Sequence, residues 1–315
     1  MEVNYLKRYV WLINTLLSRG RLTYAEISDL WERSCLGTNE PLPRKTFNNH
    51  KAAICRIFGL IIGCDRRTNR HYIENPEVLT EDKVLHWLFN MYSTMNQMQA
   101  DQILRERIMI EDVPSGQQWL VFLTQAMHDN HVLKLTYRGF DSDSASTFEV
   151  EPYGLRFANR RWYLVTRSPY YSELNRRTGS GPNDVYRVYA LDRIQDIEEL
   201  NRTFDLNEKF SMEEYFKYCC GVHNDPQEPV VRLVIKAYEN FAAYLRTLPL
   251  HESQRELEGN EDFVLFEYRV KVNFELYQQL LFQADQIEVV EPEFVREKMR
   301  EFTRNFMKYY GVDPL

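Results

Sequence analysis

Residues 152–168 read PYGLRFANRRWYLVTRS, and residues 185–194 read VYRVYALDRI. The first stretch contains a short aromatic and branched run at residues 160–165, which is typical of a core strand. The second stretch predicts another strand over residues 185–194. Residues 172–184 between them are rich in Gly, Ser, Pro, Asn and Asp, and predict a loop. Because the two strands are close in sequence, we expect them to pair.

The triplet Trp162-Tyr163-Leu164 resembles the signature of the WYL domain, a small Sm/SH3-like β-barrel found in bacterial transcriptional regulators. PYGL at residues 152–155 and YALDRI at residues 189–194 lie at positions where that family has similar motifs. Three motifs in the same order make the resemblance specific. It implies that residues 131–203 form such a barrel.

The composition is that of a folded protein with several domains: 315 residues, 44% of them hydrophobic and 27% charged. No apolar run approaches the ~20 residues that span a bilayer. The N-terminus is charged and amphipathic, unlike a signal peptide, so we expect a cytoplasmic protein without membrane contact. The five cysteines form no C-x-x-C pair, which favours free thiols over a metal site or disulfides.

The charge is distributed unevenly along the chain. The formal net charge is -7, yet residues 1–75 contain twelve Lys and Arg and seven Asp and Glu, a local charge of +5. The remainder therefore carries -12. A basic N-terminal segment on an acidic body indicates that a polyanionic partner binds at the N-terminal end.

Three helices and a hairpin are predicted within residues 1–76. The first helix has a continuous apolar face and stops at Gly20. Thr23 and Glu26 form a capping box that starts the second helix. The third spans residues 45–58 and ends at Gly59, and a basic-tipped hairpin follows at residues 60–73. This order predicts a winged helix-turn-helix, and it resembles the N-terminal domain of many WYL regulators.

The third helix divides into an apolar and a polar side. At 100° per residue, Phe47, Ile54, Ile57 and Phe58 cluster on one side. The other side is basic and amide-rich, as a helix that binds the major groove requires, although scattered charge usually marks a solvated face. The predicted DNA contacts are Arg44, Lys45, Asn48, Asn49 and Arg56 on the helix, and Arg66, Arg67 and Arg70 on the hairpin.

The remaining segments complete a multidomain α+β protein. Residues 77–130 show helical spacing and predict a helical connector. Alternating residues at 132–137 predict a half-buried strand, and residues 148–151 its hairpin partner. Strands and helices alternate through residues 204–315, which predicts a small α/β sandwich. This last part resembles the C-terminal extension that often follows a WYL domain and helps to dimerise or to clamp ligand.

The sequence lacks the motifs of common enzymes. There is no P-loop, no G-x-G-x-x-G after a strand, no H-E-x-x-H and no G-x-S-x-G. The seven histidines have no metal-ligand spacing, and the paired acids lack a fixed partner for acid/base catalysis. We therefore expect a protein that is not an enzyme and uses neither cofactor nor metal.

A ligand pocket is predicted where the two central strands pair. Alternation along unbroken strands puts Arg187 and Arg193 on one face of the second strand and Arg161 and Tyr163 on one face of the first, so these side chains could converge on one patch. Guanidinium groups suit phosphate or carboxylate, and aromatic rings suit base stacking. Arg187 and Arg193 could instead bond acidic neighbours such as Asp192 or Glu151 and only stabilise the barrel. The WYL resemblance favours ligand contact, because it implies a basic pocket for nucleic-acid fragments or nucleotide-like effectors. The predicted contacts are Tyr137, Arg138, Arg161, Tyr163, Arg187 and Arg193.

These features predict a homodimeric transcription factor that binds a double-stranded DNA operator and responds to a nucleotide-like or oligonucleotide effector. A second hypothesis is an accessory protein that binds single-stranded nucleic acid or modulates a partner effector, for example in phage defence. A third is a metabolite-binding adaptor whose winged helix contacts protein.

Overall fold

The structure is a computed structural model that describes residues 5–34, 40–81, 89, 116–140, 143–238 and 241–311. The chain separates into two compact units, Met1–Glu111 and Asp112–Leu315. The described residues form helices and antiparallel sheets, so the predicted α+β class is confirmed. Most of the predicted connector lies outside the described residues. None of the helices in these ranges has the length and apolar character that a membrane crossing requires.

The first unit contains the predicted helices and hairpin. The capping box is present: Thr23 Oγ1 accepts the Glu26 N–H, and the Glu26 carboxylate accepts the Thr23 N–H at 2.7 Å. Gly59 ends the third helix in the left-handed conformation, with φ 67°. A two-residue strand, unpredicted, pairs with the hairpin. The elements are α1 (Tyr5–Arg19), β1 (Leu22–Thr23), α2 (Tyr24–Glu32), α3 (Arg44–Phe58), β2 (Ile62–Asp65), β3 (Arg70–Ile73) and α4 (Val78–Glu81).

The three long helices of this unit share one apolar core. Ile13 of α1, Ile27 of α2 and Ile54 of α3 are completely buried. Burial of each such side chain stabilises the fold by roughly 1.5–3 kcal/mol. The predicted apolar side of α3 was wrong at Ile57, which is 48% exposed. The buried stripe instead runs through Phe47, His50 and Ile54, so His50 occupies a core position.

A five-stranded sheet follows the first helix of the second unit. All neighbouring strands are antiparallel, in the order β7-β6-β5-β4-β8. Leu133, Leu135, Val150 and Leu164 form its core together with the preceding helix. The elements are α5 (Leu120–His128), β4 (His131–Tyr137), β5 (Ser146–Ala158), β6 (Arg161–Arg167), α6 (Pro169–Thr178), β7 (Tyr186–Ala190) and β8 (Ile194–Thr203).

The predicted barrel is not closed. Strands β7 and β8 are the two edges of the sheet, and no ladder joins them in the part of the chain that the structure describes. The 3₁₀ turn Leu191–Arg193 interrupts the strand predicted over residues 185–194, so β7 pairs with β6 while β8 pairs with β4. Strand β5 pairs with β4 up to Val150 and with β6 from Glu151 onward, and the β5–β6 ladder has a register shift between Pro152 and Gly154. Such bulges bend a strand.

The predicted loop over residues 172–184 was partly wrong, because helix α6 covers its first half. Local cap signals bound this helix at both ends. Ser168 Oγ accepts the Tyr171 N–H at the N-terminus, and Gly179 ends the helix with φ 65°.

The C-terminal part of this unit contains a four-stranded antiparallel sheet in the order β10-β11-β9-β12. The strands and helices predicted over residues 230–310 are present, and two short elements, α7 and β10, were not predicted. Ile235, Leu245, Tyr268, Leu280 and Val295 belong to its core. The elements are α7 (Met212–Phe216), β9 (Val230–Tyr238), α8 (Phe241–Thr247), β10 (Arg255–Gly259), β11 (Phe263–Lys271), α9 (Phe274–Phe282), β12 (Ile287–Glu291) and α10 (Glu293–Tyr309).

Candidate functional site

The polar side of α3 faces solvent within the first unit. Its apolar stripe is buried against α1 and α2, which leaves the opposite side free in this unit. Basic and amide groups of this kind can donate to phosphates and to base edges. The residues of the predicted DNA-binding face of α3, all exposed, are Arg44, Lys45, Asn48, Asn49 and Arg56.

The hairpin places its three arginines differently. Arg66 and Arg67 are exposed at the turn, where Asp65 accepts the Arg67 N–H at 2.9 Å and fixes the turn geometry. Arg70 instead donates to the Arg21 carbonyl at 2.8 Å and lies 3.6 Å from the Glu26 carboxylate. Arg70 therefore ties β3 to the start of α2, whereas Arg66 and Arg67 at the hairpin tip are exposed and form no ion pair with any residue that the structure describes.

His50 holds α3 in place through ring contacts. Its ring lies 5.2 Å from the Tyr9 ring and 6.1 Å from the Trp31 ring, between centroids. Neither ring nitrogen has a hydrogen-bond partner among the described residues. Burial, assisted by the nearby Arg8 cation, lowers the pKa of His50 to about 4. The imidazole is therefore neutral at pH 7.

A groove with five aromatic rings in its lining lies beside the central sheet. Its volume is about 790 Å³, which is within the roughly 300–1,000 Å³ typical of ligand sites. We call it the aromatic groove. Strands β4, β5 and β7 supply one part of its wall, and the start of α6 supplies the other. It is lined by Tyr137, Gly139, Ser146, Phe148, Glu149, Ser168, Pro169, Tyr170, Tyr171, Arg187 and Tyr189.

Arg187 is the unneutralised cation of this groove. Its guanidinium carbon lies 4.1 Å from the centre of the Tyr171 ring, and no carboxylate among the described residues lies within 4.0 Å of it. The acidic group of the lining, Glu149, forms an ion pair with Arg202. The groove therefore offers one exposed guanidinium next to an aromatic ring, which suits a phosphate or carboxylate that carries a flat group.

The phenols of Tyr137 and Tyr189 in the groove remain protonated at neutral pH. Burial raises the pKa of Tyr189 to about 12. Burial also raises the pKa of Tyr137, which the Arg193 cation partly offsets. Tyr189 packs against Tyr137 and Phe148, with ring centroids 5.0 and 5.2 Å away. A neutral phenol can donate a hydrogen bond, and adjoining rings give a planar ligand a stacking surface.

Strands β6 and β7 pair as predicted, but they do not bring all the predicted side chains together. Arg187 lies opposite Thr166, and Tyr163 lies opposite Ala190. Opposed residues share a face and successive residues alternate, so Tyr163 and Arg187 lie on opposite faces of the sheet. The predicted convergence of Tyr163 with Arg187 was therefore wrong. Arg161 shares the face of Tyr163 and lies 3.7 Å from the Asp192 carboxylate.

Arg193 and Arg138 lie at the corner where β4 ends. The Arg193 guanidinium carbon is 5.1 Å from the centre of the Tyr137 ring and 3.5 Å from that of Phe140. Its Nε donates to the Arg138 carbonyl at 3.0 Å, and Arg138 itself is exposed. Of the six predicted ligand contacts, only Tyr137 and Arg187 line the aromatic groove. Arg193 itself belongs to the 3₁₀ turn Leu191–Arg193, so the strand alternation predicted over residues 185–194 does not extend to it.

Sequence reasoning missed the contribution of α6. Tyr170 and Tyr171 follow Ser168 and Pro169, a pair that starts a helix, and this cap signal could have placed both rings beside Arg187. Phe148 was expected only as a strand residue. In the described ranges, no group of three or more His, Cys, Asp or Glu side chains is placed to hold a metal ion.

Comparison with known proteins locates two domains within the second unit. Solved structures that resemble the chain include proteasome accessory factor B/C (PafBC) of Arthrobacter aurescens, at 17% identity and a TM-score of 0.36, and a CRISPR Cas-related protein, at 13% identity and a TM-score of 0.39. The matches cover 94% and 91% of this chain, and 45% and 71% of those chains. The chain thus spans less than half the length of the PafBC chain. No curated protein matches the sequence. Residues 119–199 match the WYL domain and residues 229–306 match the WCX domain, so the chain contains both.

Proposed function

We propose that this protein is a DNA-binding transcriptional regulator whose WYL domain binds a nucleotide-like or oligonucleotide effector. The observation that carries the first half is the exposed face of α3. Lys45, Asn48, Asn49 and Arg56 lie on one side of a helix whose other side is buried. Asn can bond adenine with two hydrogen bonds, and Lys or Arg can bond guanine or phosphate. The α3 helix then acts as the recognition helix of a winged helix-turn-helix, with Arg66 and Arg67 on phosphates.

The aromatic groove supports the second half of the proposal. Arg187 supplies a cation for a phosphate, and Tyr171 and Tyr189 supply rings on which a base can stack. A ligand changes DNA affinity only if it binds the two states of the protein differently. Since a symmetric dimer matches a palindromic operator, we propose that the protein acts as a homodimer.

The double variant Lys45→Ala/Asn48→Ala tests the DNA-binding assignment. Both residues are exposed, so the fold is expected to persist while affinity for duplex DNA from upstream of its own gene falls. Gel-shift titrations at several salt concentrations measure the loss. Removal of one phosphate contact lowers the slope of log affinity against log salt by about 0.9. Lys134→Ala, an exposed lysine on the WYL sheet, is the matched control and is expected to bind like the parent. Unchanged affinity of the double variant would remove α3 from the DNA interface.

The second hypothesis, an accessory protein that binds single-stranded nucleic acid, predicts a different result. Its aromatic groove would be the main nucleic-acid site, so the protein would prefer single-stranded over duplex DNA and leave no footprint upstream of its own gene. The third hypothesis, an adaptor that contacts protein, predicts DNA binding that varies little with salt, because no phosphate contact releases counterions.

A further inference from the structure

The face of the WYL sheet opposite the aromatic groove carries a second guanidinium, Arg156. Arg156 of β5 lies directly opposite Tyr163 of β6, so both side chains share one face, with Cβ atoms about 5 Å apart. Val165 and Val188 lie on the same face and pack against Phe216 and Cys219. This face is therefore covered by residues that lead from the WYL domain into the C-terminal sheet.

Arg156 is half-buried at this junction and has no acidic partner. Its guanidinium carbon lies 3.9 Å from the centre of the Phe216 ring. Other partly buried arginines of the sheet are paired: Arg161 with Asp192, and Arg167 with Glu151 and Asp184. Within the described residues, no carboxylate lies within 4.0 Å of Arg156.

The two carboxylates that act electrostatically on Arg156, Glu275 and Glu252, form no ion pair with it. Glu275 influences the pKa of Arg156, but its carboxylate accepts the backbone N–H groups of Val222 and His223. Glu252 also acts on Arg156 only through space. Burial lowers the pKa of Arg156, as expected where a guanidinium loses water and gains no counter-ion. A desolvated, unpaired cation costs free energy, and an anionic ligand would remove that cost.

We propose that Arg156 and Tyr163 form an oxyanion site at the junction of the WYL sheet and the C-terminal segment, and that it takes a phosphate group. The guanidinium presents a planar fork of N–H donors, and the Tyr163 phenol adds an O–H donor from the neighbouring strand. Three donors suit a phosphate, which has more free oxygens than a carboxylate. This site is separate from the aromatic groove and does not depend on DNA binding by α3.

Thermal unfolding of the full chain in sodium phosphate tests the site, with sodium chloride at equal ionic strength as the reference. At ten times its dissociation constant, a ligand of the folded state raises the Tm of a domain of this size by about 3–5 °C. We expect that increment in the parent, its loss in Arg156→Gln, and a reduced increment in Tyr163→Phe, which removes only the hydroxyl. Arg202→Gln, an ion-paired arginine of the same sheet, should keep the full increment.

The phosphate-dependent increment separates binding from packing. If Arg156 only packs on Phe216, Arg156→Gln lowers the Tm in both salts and retains the increment, which overturns the proposal. If the phosphate-dependent rise in Tm is lost in Arg187→Gln and kept in Arg156→Gln, phosphate binds in the aromatic groove, and the proposal is overturned. An equal increment in sodium acetate would replace phosphate with carboxylate as the ligand class. Should Arg156→Gln fail to fold, Tyr163→Phe decides, because a full increment in that variant contradicts the site.

Discussion

Acid should destabilise the first unit through His50, and the size of the effect follows from its burial. The unfolded chain takes up a proton on His50 below about pH 6.5, whereas the folded chain stays neutral down to about pH 4. The contribution of neutral His50 to the free energy of unfolding is therefore complete above about pH 6.5 and is lost as the pH falls toward about 4. Two protonation equilibria with these pKa values predict a loss of roughly 2–3 kcal/mol between pH 7.0 and pH 4.5.

The variant His50→Leu isolates this contribution because leucine cannot take up a proton. Urea unfolding at pH 7.0 and 4.5, followed by tryptophan fluorescence, reports on the packing of Trp31 against His50 and Trp11. His71, whose pKa burial also lowers, remains in both proteins and cancels in the comparison. Between pH 7.0 and pH 4.5 the free energy of unfolding should fall in both proteins, and the fall should be smaller in the variant by roughly 2–3 kcal/mol. An equal fall in both proteins would refute the assignment of His50 as a buried neutral side chain.

Four further substitutions test a helix cap, a backbone conformation and the packing of α3. Thr23→Ala removes the helix cap and should lower the free energy of unfolding of the first unit by about 1 kcal/mol, measured by urea denaturation. Gly116→Ala should destabilise the second unit by about 2 kcal/mol or more, because φ is 65° and the new Cβ would lie 2.4 Å from the Leu191 carbonyl carbon. Ile54→Ala should cost about 2–5 kcal/mol, against less than about 1 kcal/mol for the exposed Ile57→Ala; similar losses for the pair would contradict the buried stripe of α3.

Local signals predicted several helix ends of the first unit because those ends have their own chemical markers. Thr23 with Glu26 starts α2, and Gly59 ends α3. These interactions occur within a few residues of one another, so the sequence alone determines them. The strand pairing of Leu22 with His71 depends on residues far apart in the chain, and no local pattern predicted it.

The candidate ligand site shows where alternation along a strand fails as a guide. The sequence correctly paired the two central strands, but the face of each side chain depends on the register, which a single position changes. Tyr163 and Arg187 therefore separate onto opposite faces. Alternation also fails for Arg193, because this residue lies in the 3₁₀ turn Leu191–Arg193 and not in a regular strand. Arg156 was overlooked because its significance comes from Phe216 and Tyr163, which only the folded chain brings beside it.

The response of DNA binding to a ligand of the aromatic groove tests the proposed function most directly. Fluorescence anisotropy would measure the affinity of the full chain for duplex DNA from upstream of its own gene, with and without a five-nucleotide oligo-dT strand. Coupling between two sites typically changes affinity by about 5- to 150-fold, so we predict a change of at least about 5-fold in the parent and none in Arg187→Ala, which should bind duplex DNA normally without the strand. An affinity that the strand leaves unchanged in the parent, or changes equally in Arg187→Ala, would contradict the proposed link between the groove and DNA binding.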